Sequence, residues 1–214
     1  MNIQERLTAF AMLGAGWVMW LLVFLSIISL AIVLERAYYL IVSRDDITKI
    51  KADLLGLIAK GDYAAAIKRV TGSRSFEAKI LRAGLEAVDG GAAAAEERIA
   101  GESQMARLHM ERNLAFLGTV GNNAPFVGLL GTVIGVIRAF HSLDDSAGQV
   151  TSGLMADVGE ALVATAIGIL VALPAVAFFN FFQRIVKGRI TRGEALAKAL
   201  LAQLKQEGSE GAAP

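Results

Sequence analysis

The sequence predicts an all-α integral membrane protein, with three transmembrane helices and long helices extending into a cytoplasmic helical domain. Three observations carry this reading. The chain has 214 residues, 55% of them hydrophobic, and its mean hydropathy of +0.53 is high for a soluble domain, in which about half of the residues are apolar. Charged residues are confined to segments that separate three long uncharged stretches. Between the first two stretches, apolar residues recur at helical spacing.

The same composition excludes several classes of function. A formal net charge of +1 lacks the concentrated basic face that a nucleic-acid partner needs. Cysteine is absent, which rules out a disulfide framework, a thiolate metal site and a thiol nucleophile. His109 and His141 lie far apart, without a second ligand at metal-binding spacing. No nucleotide-binding glycine loop and no nucleophile-plus-base arrangement occurs, so neither an enzyme nor a cofactor is expected.

Residues 1–16 form a short arm with a single basic residue, Arg6. The first transmembrane helix is placed at 17–42. Its uncharged run, Trp17 to Leu34, approaches the roughly 20 apolar residues that cross a bilayer core. Trp17 and Trp20 open it, and Tyr38 and Tyr39 follow Glu35-Arg36 at its end, as interfacial aromatic belts do. A signal peptide is the competing reading; the run is longer than a typical apolar core of that kind, and no small-residue cleavage site follows promptly.

Residues 43–112 form the cytoplasmic helical domain. A first amphipathic stretch carries Ile47, Ile50, Leu54, Leu57 and Ile58. Gly61 can end it and Asp62 can cap the next helix. A second stretch through Tyr63, Ile67 and Val70 breaks at Thr71-Gly72-Ser73. A third through Phe76, Ile80, Leu81 and Leu85 stops at Asp89-Gly90-Gly91. From Ala92 the pattern favours helix without a break, which predicts one long helix running on into the second span. The module around residues 47–88 reads as a packing and docking domain.

The second transmembrane helix is placed at 113–139, on the uncharged run between Arg112 and Arg138, and contains Pro125. A link follows at 140–152. The third span is placed at 153–183, around the run between Glu160 and Arg184, and contains Pro174. A tail covers 184–214. Glycine and proline are better tolerated in membrane helices, where packed neighbours satisfy freed backbone groups. The prolines read equally as bends of functional shape and as tolerated kinks.

Basic residues set the expected orientation. A dozen lie between Ser43 and Arg112 and six from Arg184 onward, whereas the link from His141 to Thr151 has none and carries Asp144 and Asp145. Basic loops stay in the cytoplasm. The N-terminus and the 140–152 link are therefore expected outside, and the large loop and the tail inside.

In lipid, helices associate through close packing of small residues and a few hydrogen bonds. Gly121, Gly128, Thr132, Gly135 and Ala139 share a narrow arc of the second span, and Gly131 with Gly135 makes a G-x-x-x-G. Ala161, Thr165, Gly168 and Ala172 form the matching face of the third. Each threonine hydroxyl either bonds the carbonyl four residues back or serves the partner face. Glu160 opens the third apolar run one turn beyond Asp157. An ionisable residue in a membrane span is by default a functional candidate; the plainer alternative places Glu160 in the headgroup layer, where Asp157 is expected. One acid and two hydroxyls do not complete a proton path in a single subunit.

Residues Asn123-Ala-Pro-Phe-Val-Gly-Leu-Leu-Gly-Thr-Val-Ile-Gly-Val-Ile137 resemble the second membrane helix of ExbB and TolQ proteins, with its A-P-x-x-G-L-x-G-T-V-x-G. Gly159-Glu-Ala-Leu-Val-Ala-Thr-Ala-Ile-Gly-Ile-Leu-Val-Ala-Leu-Pro174 is similar to their third, with E-A-L-x-x-T-A-x-G and a following Ala-x-Pro. The resemblance covers essentially the whole chain. It implies an inner-membrane stator-type subunit, expected as a pentamer around two copies of a single-span ExbD- or TolR-like partner whose aspartate carries the proton. Glu160, Thr132 and Thr165 then correspond to polar residues of the pore or subunit junctions, and Gly128, Gly131, Gly135, Gly168, Pro125 and Pro174 to helix packing and shape. The proton-motive force would turn one subunit type against the other and energise a TonB-like or TolA-like envelope-spanning effector, or a gliding machine. Flagellar MotA, with four membrane helices, is a more distant relative.

The main alternative is a non-conducting oligomeric scaffold, which the small-residue faces fit equally well. A secondary transporter lacks support from any internal repeat or broken helix pair.

Overall fold

The computed structural model describes residues 14–43 and 47–210, with the side chains of 47–50 and of residue 210 left out. The expected arm with Arg6, the side chains of Ile47 and Ile50, and the last residues of the tail lie outside this range. The described residues form seven α-helices and no strand: α1 (Gly16–Val42), α2 (Ile47–Ala59), α3 (Tyr63–Thr71), α4 (Phe76–Leu85), α5 (Gly91–Glu111), α6 (Leu114–Asp145) and α7 (Ser152–Glu210). A single 3₁₀ turn, Val88–Gly90, precedes α5. Among the described residues three helices, α1, α6 and α7, are long and apolar enough to cross a membrane. The all-α membrane class predicted from sequence is therefore the observed one.

The chain divides into two compact units. The apolar unit takes in residues 14–34 and 113–181, and the amphipathic unit residues 35–43, 47–112 and 182–210. In the apolar unit Ala15, just before α1, and Val18 and Leu22 of α1 pack with Val120, Ala124 and Ile134 of α6 and Val171, Ala172 and Ala175 of α7. Much of the remaining surface is large and apolar, including Trp20, Phe24, Phe126, Leu170 and Leu173, as lipid-facing helices require.

In the amphipathic unit the breaks follow turn chemistry. Gly61 adopts φ 69, and the Asp62 carboxylate then accepts from the Ala65 amide at 3.0 Å, capping α3. Ser75 caps α4 by accepting from Ala78 N at 3.2 Å. Gly91, at φ 80 and ψ −177, redirects the chain into α5 in a conformation reserved for glycine. The core is Leu54, Ile58, Val70, Leu81, Leu85, Leu196, Leu200 and Leu204, with alanines between them. Each such leucine is worth roughly 1.5–3 kcal/mol when fully buried.

One sequence expectation is corrected. No single helix runs from Ala92 into the second span. Arg112 (φ −48, ψ 132) and Asn113 (φ 62, ψ −6) separate α5 from α6. Asparagine tolerates the left-handed conformation better than other residues with a side chain, so it breaks the helix without glycine or proline. Elsewhere helices run further than the spans expected for them: α6 reaches Asp145, and α7 continues for 59 residues.

A buried ionic network joins elements of the amphipathic unit. Arg189, only 3% exposed, donates to the Ser43 carbonyl at 2.7 Å, the Ser43 hydroxyl at 2.8 Å and the Leu40 carbonyl at 3.3 Å. It thereby satisfies carbonyls at the C-terminus of α1 that no further turn of helix can reach. Glu77 stands 3.5 Å from Arg189 and 3.6 Å from Arg192. Arg36, also buried, pairs with Glu35, donates to the His109 carbonyl at 3.1 Å and lies over the Tyr39 ring at 4.8 Å.

Candidate functional site

The small-residue faces of α6 and α7 meet inside the apolar unit. A Cβ added at Gly128 would stand 2.8 Å from the Ala164 carbonyl and 3.1 Å from Gly168 Cα; one added at Gly168 would stand 2.7 Å from the Ala124 carbonyl. The two backbones thus approach more closely than any larger residue allows. Gly131 lies against Ala164 and Val18, and Gly135 against Ala161 and the Asp157 carbonyl. Gly121 faces Val176 of α7. Pro125 and Pro174 sit inside α6 and α7, which both continue past them.

This close approach brings two hydroxyls together. Thr132 and Thr165 are hydrogen-bonded to each other across the interface. Thr132 Oγ1 also lies 3.4 Å from the Gly128 carbonyl in its own helix and 3.3 Å from the Ala161 carbonyl of α7. Thr165 Oγ1 reaches the Gly128 carbonyl at 3.2 Å. The simple bond to a carbonyl four residues back therefore describes part of the Thr132 environment, while Thr165 bonds across to α6. Each hydroxyl has one proton and two lone pairs. With several acceptors in reach, rotation of each O–H about its Cβ–Oγ1 bond changes which oxygen donates.

Between one and two turns away along both helices lies an ionic cluster. Glu160 precedes Thr165 by about 7.5 Å of helix rise and Arg138 follows Thr132 by about 9 Å. The Arg138 guanidinium stands 3.2 Å from Asp157 and 3.9 Å from Glu160, and the Ser142 hydroxyl donates to Asp157 at 3.1 Å. Asp157 is the more enclosed acid, its side chain 12% exposed against 31% for Glu160, although the sequence drew attention to Glu160. The start of α1 closes over the cluster. A Cβ on Gly16 would stand 3.6 Å from Glu160 Oε1, and one on Gly14 would be 3.4 Å from Arg138 Cζ.

Sequence reasoning did not find Arg138 and Ser142. The signal was present as spacing: Arg138 and Ser142 are four apart on α6, and Asp157 and Glu160 three apart on α7, so each pair shares a helix face on either side of a short link. Among the described residues no group of acidic and histidine side chains is placed to hold a metal ion. The arrangement offers proton donors and acceptors in two layers, with one guanidinium facing two carboxylates.

A family model described as the MotA/TolQ/ExbB proton channel family matches residues 73–195, more than half of the chain. The match includes the Thr132–Thr165 pair and the whole Arg138 cluster. Curated relatives agree. The chain is 41% identical over 91 residues to biopolymer transport protein ExbB of Xanthomonas campestris pv. campestris strain B100, covering 42% of this chain and 36% of the relative. It is 37% identical over 87 residues to ExbB of Aquifex aeolicus, covering 41% and 59%, and 38% identical over 96 residues to ExbB of Salmonella typhimurium, covering 44% and 39%. The matched segment thus spans between about a third and three fifths of these relatives. With three membrane-length helices and this match across its second and third, the chain belongs to the MotA/TolQ/ExbB proton channel family.

Proposed function

We propose that the chain is the pore-building, stator-type subunit of an inner-membrane motor driven by the proton-motive force. The observation that carries the proposal is the Thr132–Thr165 hydroxyl pair at the closest approach of two apolar helices. A hydroxyl can hold a water or meet a protonated carboxyl without introducing a fixed charge into lipid. In the assembled motor the pair lines a polar route to the aspartate of a single-span ExbD- or TolR-like subunit. Glu160, with Arg138 and Asp157, sets the electrostatics at one end of that route. Five copies surround two of the partner, the N-terminus lies in the periplasm and the basic tail in the cytoplasm. The work is delivered to a TonB-like or TolA-like effector or to a gliding machine.

The relatives' name, biopolymer transport protein, supports an energising role rather than catalysis. A non-conducting scaffold shares the glycine faces and can use a hydroxyl pair to join helices, but gives no reason for the ionisable Asp157 and Glu160 beside them. Native mass spectrometry of the detergent-purified complex, after co-expression with its genomic neighbours, tests the assembly. The expected mass is that of five copies with two single-span subunits. A lone monomer or dimer without such a partner would leave no pore to line and would make the scaffold the better description.

A further inference from the structure

Within the amphipathic unit, a cleft of about 430 Å³ opens beside the C-terminal end of α1. Among the described residues its lining carries three cations, Arg74, Lys79 and Arg82, and no carboxylate. Arg82 is partly neutralised by Glu86 at 2.6 Å. Arg74 and Lys79 are exposed, and neither has an ion-pair partner among the described residues. Lys79 stands 5.2 Å from the centre of the Phe76 ring, which lies 6.0 Å from the Tyr39 ring. Lys79 is therefore held over an aromatic floor, one part of which, Tyr39, belongs to a helix apolar enough to cross a bilayer.

We propose that this cleft binds the phosphate of an anionic phospholipid headgroup. Arg74 and Lys79 supply charge-assisted hydrogen bonds to the phosphate oxygens. The lipid, rather than a dissolved phosphate, is the source because the helix that supplies Tyr39 and Val42 to the cleft also carries exposed apolar residues at the same level. Tyr38 and Ile41, next to Tyr39 and Val42 in sequence, form a strip on α1 and are 71% and 65% exposed. Val42, a lining residue, is 47% exposed. Acyl chains laid on this strip leave the headgroup beside the cations, at the level marked by the tyrosines. The inference requires α1 to meet a bilayer and does not depend on motor activity.

Native mass spectrometry of the full-length protein in detergent, titrated with phosphatidylglycerol, tests it. Wild type should retain one phosphatidylglycerol per chain, and Arg74→Ala/Lys79→Ala should bind about thirtyfold more weakly, from two lost surface charges. Lys68→Ala removes an exposed cation of the same unit that does not line the cleft and should bind as wild type. Arg74→Lys/Lys79→Arg keeps both charges and should retain most of the binding, which separates lost charge from lost fold. Equal retention by the Ala/Ala variant would overturn the proposal. So would equal retention of phosphatidylcholine, which would mean that headgroup charge is not read. Displacement of the lipid by equimolar inorganic phosphate would assign the cleft to a soluble anion instead.

Discussion

In the apolar unit α6 and α7 come closest where side chains are missing, at Gly128 and Gly168. In the amphipathic unit the helices are held apart by leucines, among them Leu54, Leu81, Leu85 and Leu200, and by a guanidinium buried against a carboxylate. The solvent explains the difference. Water drives leucines together, so a bundle in water gains by filling its interior with them. Lipid gives no such gain, and helices there associate through backbone proximity and a few hydrogen bonds. Polar groups follow the same division. Arg189 and Glu77 lock a junction in the amphipathic unit, whereas the apolar unit keeps hydroxyls with interchangeable donors and a loosely paired Glu160.

The buried ionic network gives the largest expected effect. Arg189→Ala exposes the α1 carbonyls and leaves Glu77 with Arg192 alone, a loss of roughly 3–5 kcal/mol for breaking a buried pair. A marked fall in the thermal midpoint of the detergent-purified protein is expected. The double change Glu77→Leu/Arg189→Met, which removes both charges, should recover part of it. Leu81→Ala in the leucine core should cost about 2–5 kcal/mol, read in the same melt. Gly128→Leu inserts a side chain where the α7 backbone lies; overpacking costs about 1–3 kcal/mol, with loss of assembly on a native gel. If Gly128→Leu is tolerated while Leu81→Ala is not, the two packing regimes are not as different as their contacts.

The smallest effect is at the edge of the amphipathic unit. The Tyr63 hydroxyl donates to Glu207 at 2.8 Å. Burial, and then the hydrogen bond and charge of Glu207, push the phenol up to about 12 from its ordinary 10.0. Because the folded value is raised, the contribution is complete below the unfolded value and is lost as pH rises through the folded one. The difference in thermal midpoint between wild type and Tyr63→Phe should therefore be constant below about pH 10 and vanish above about 12.

Features governed by local rules were legible in the sequence. Uncharged runs located the three membrane-length helices, and Gly61-Asp62, Thr71-Gly72-Ser73 and Asp89-Gly90-Gly91 located the breaks in the amphipathic unit. The break at Arg112-Asn113 was not legible, because asparagine also occurs inside helices and only its backbone angles reveal the role. Asp144 and Asp145 resembled a link, yet α6 runs through them, with His141 3.5 Å from Asp145 one turn on. The faces carrying Thr132 and Thr165 could be drawn from periodicity. Their direct bond, the Arg138 pairings and the Arg189–Glu77 contact join residues distant in sequence, and no local pattern specifies such partners.

The most direct test of the central claim is proton flux through the reconstituted complex, in proteoliposomes carrying the single-span partner, with threonine 165 varied. Thr165→Val keeps the shape and removes the hydroxyl; Thr165→Ser keeps the hydroxyl and removes a methyl. Loss of flux in the valine variant, with the serine variant close to wild type and assembly intact in both, is the predicted result. Full flux through Thr165→Val would contradict a route that uses this hydroxyl.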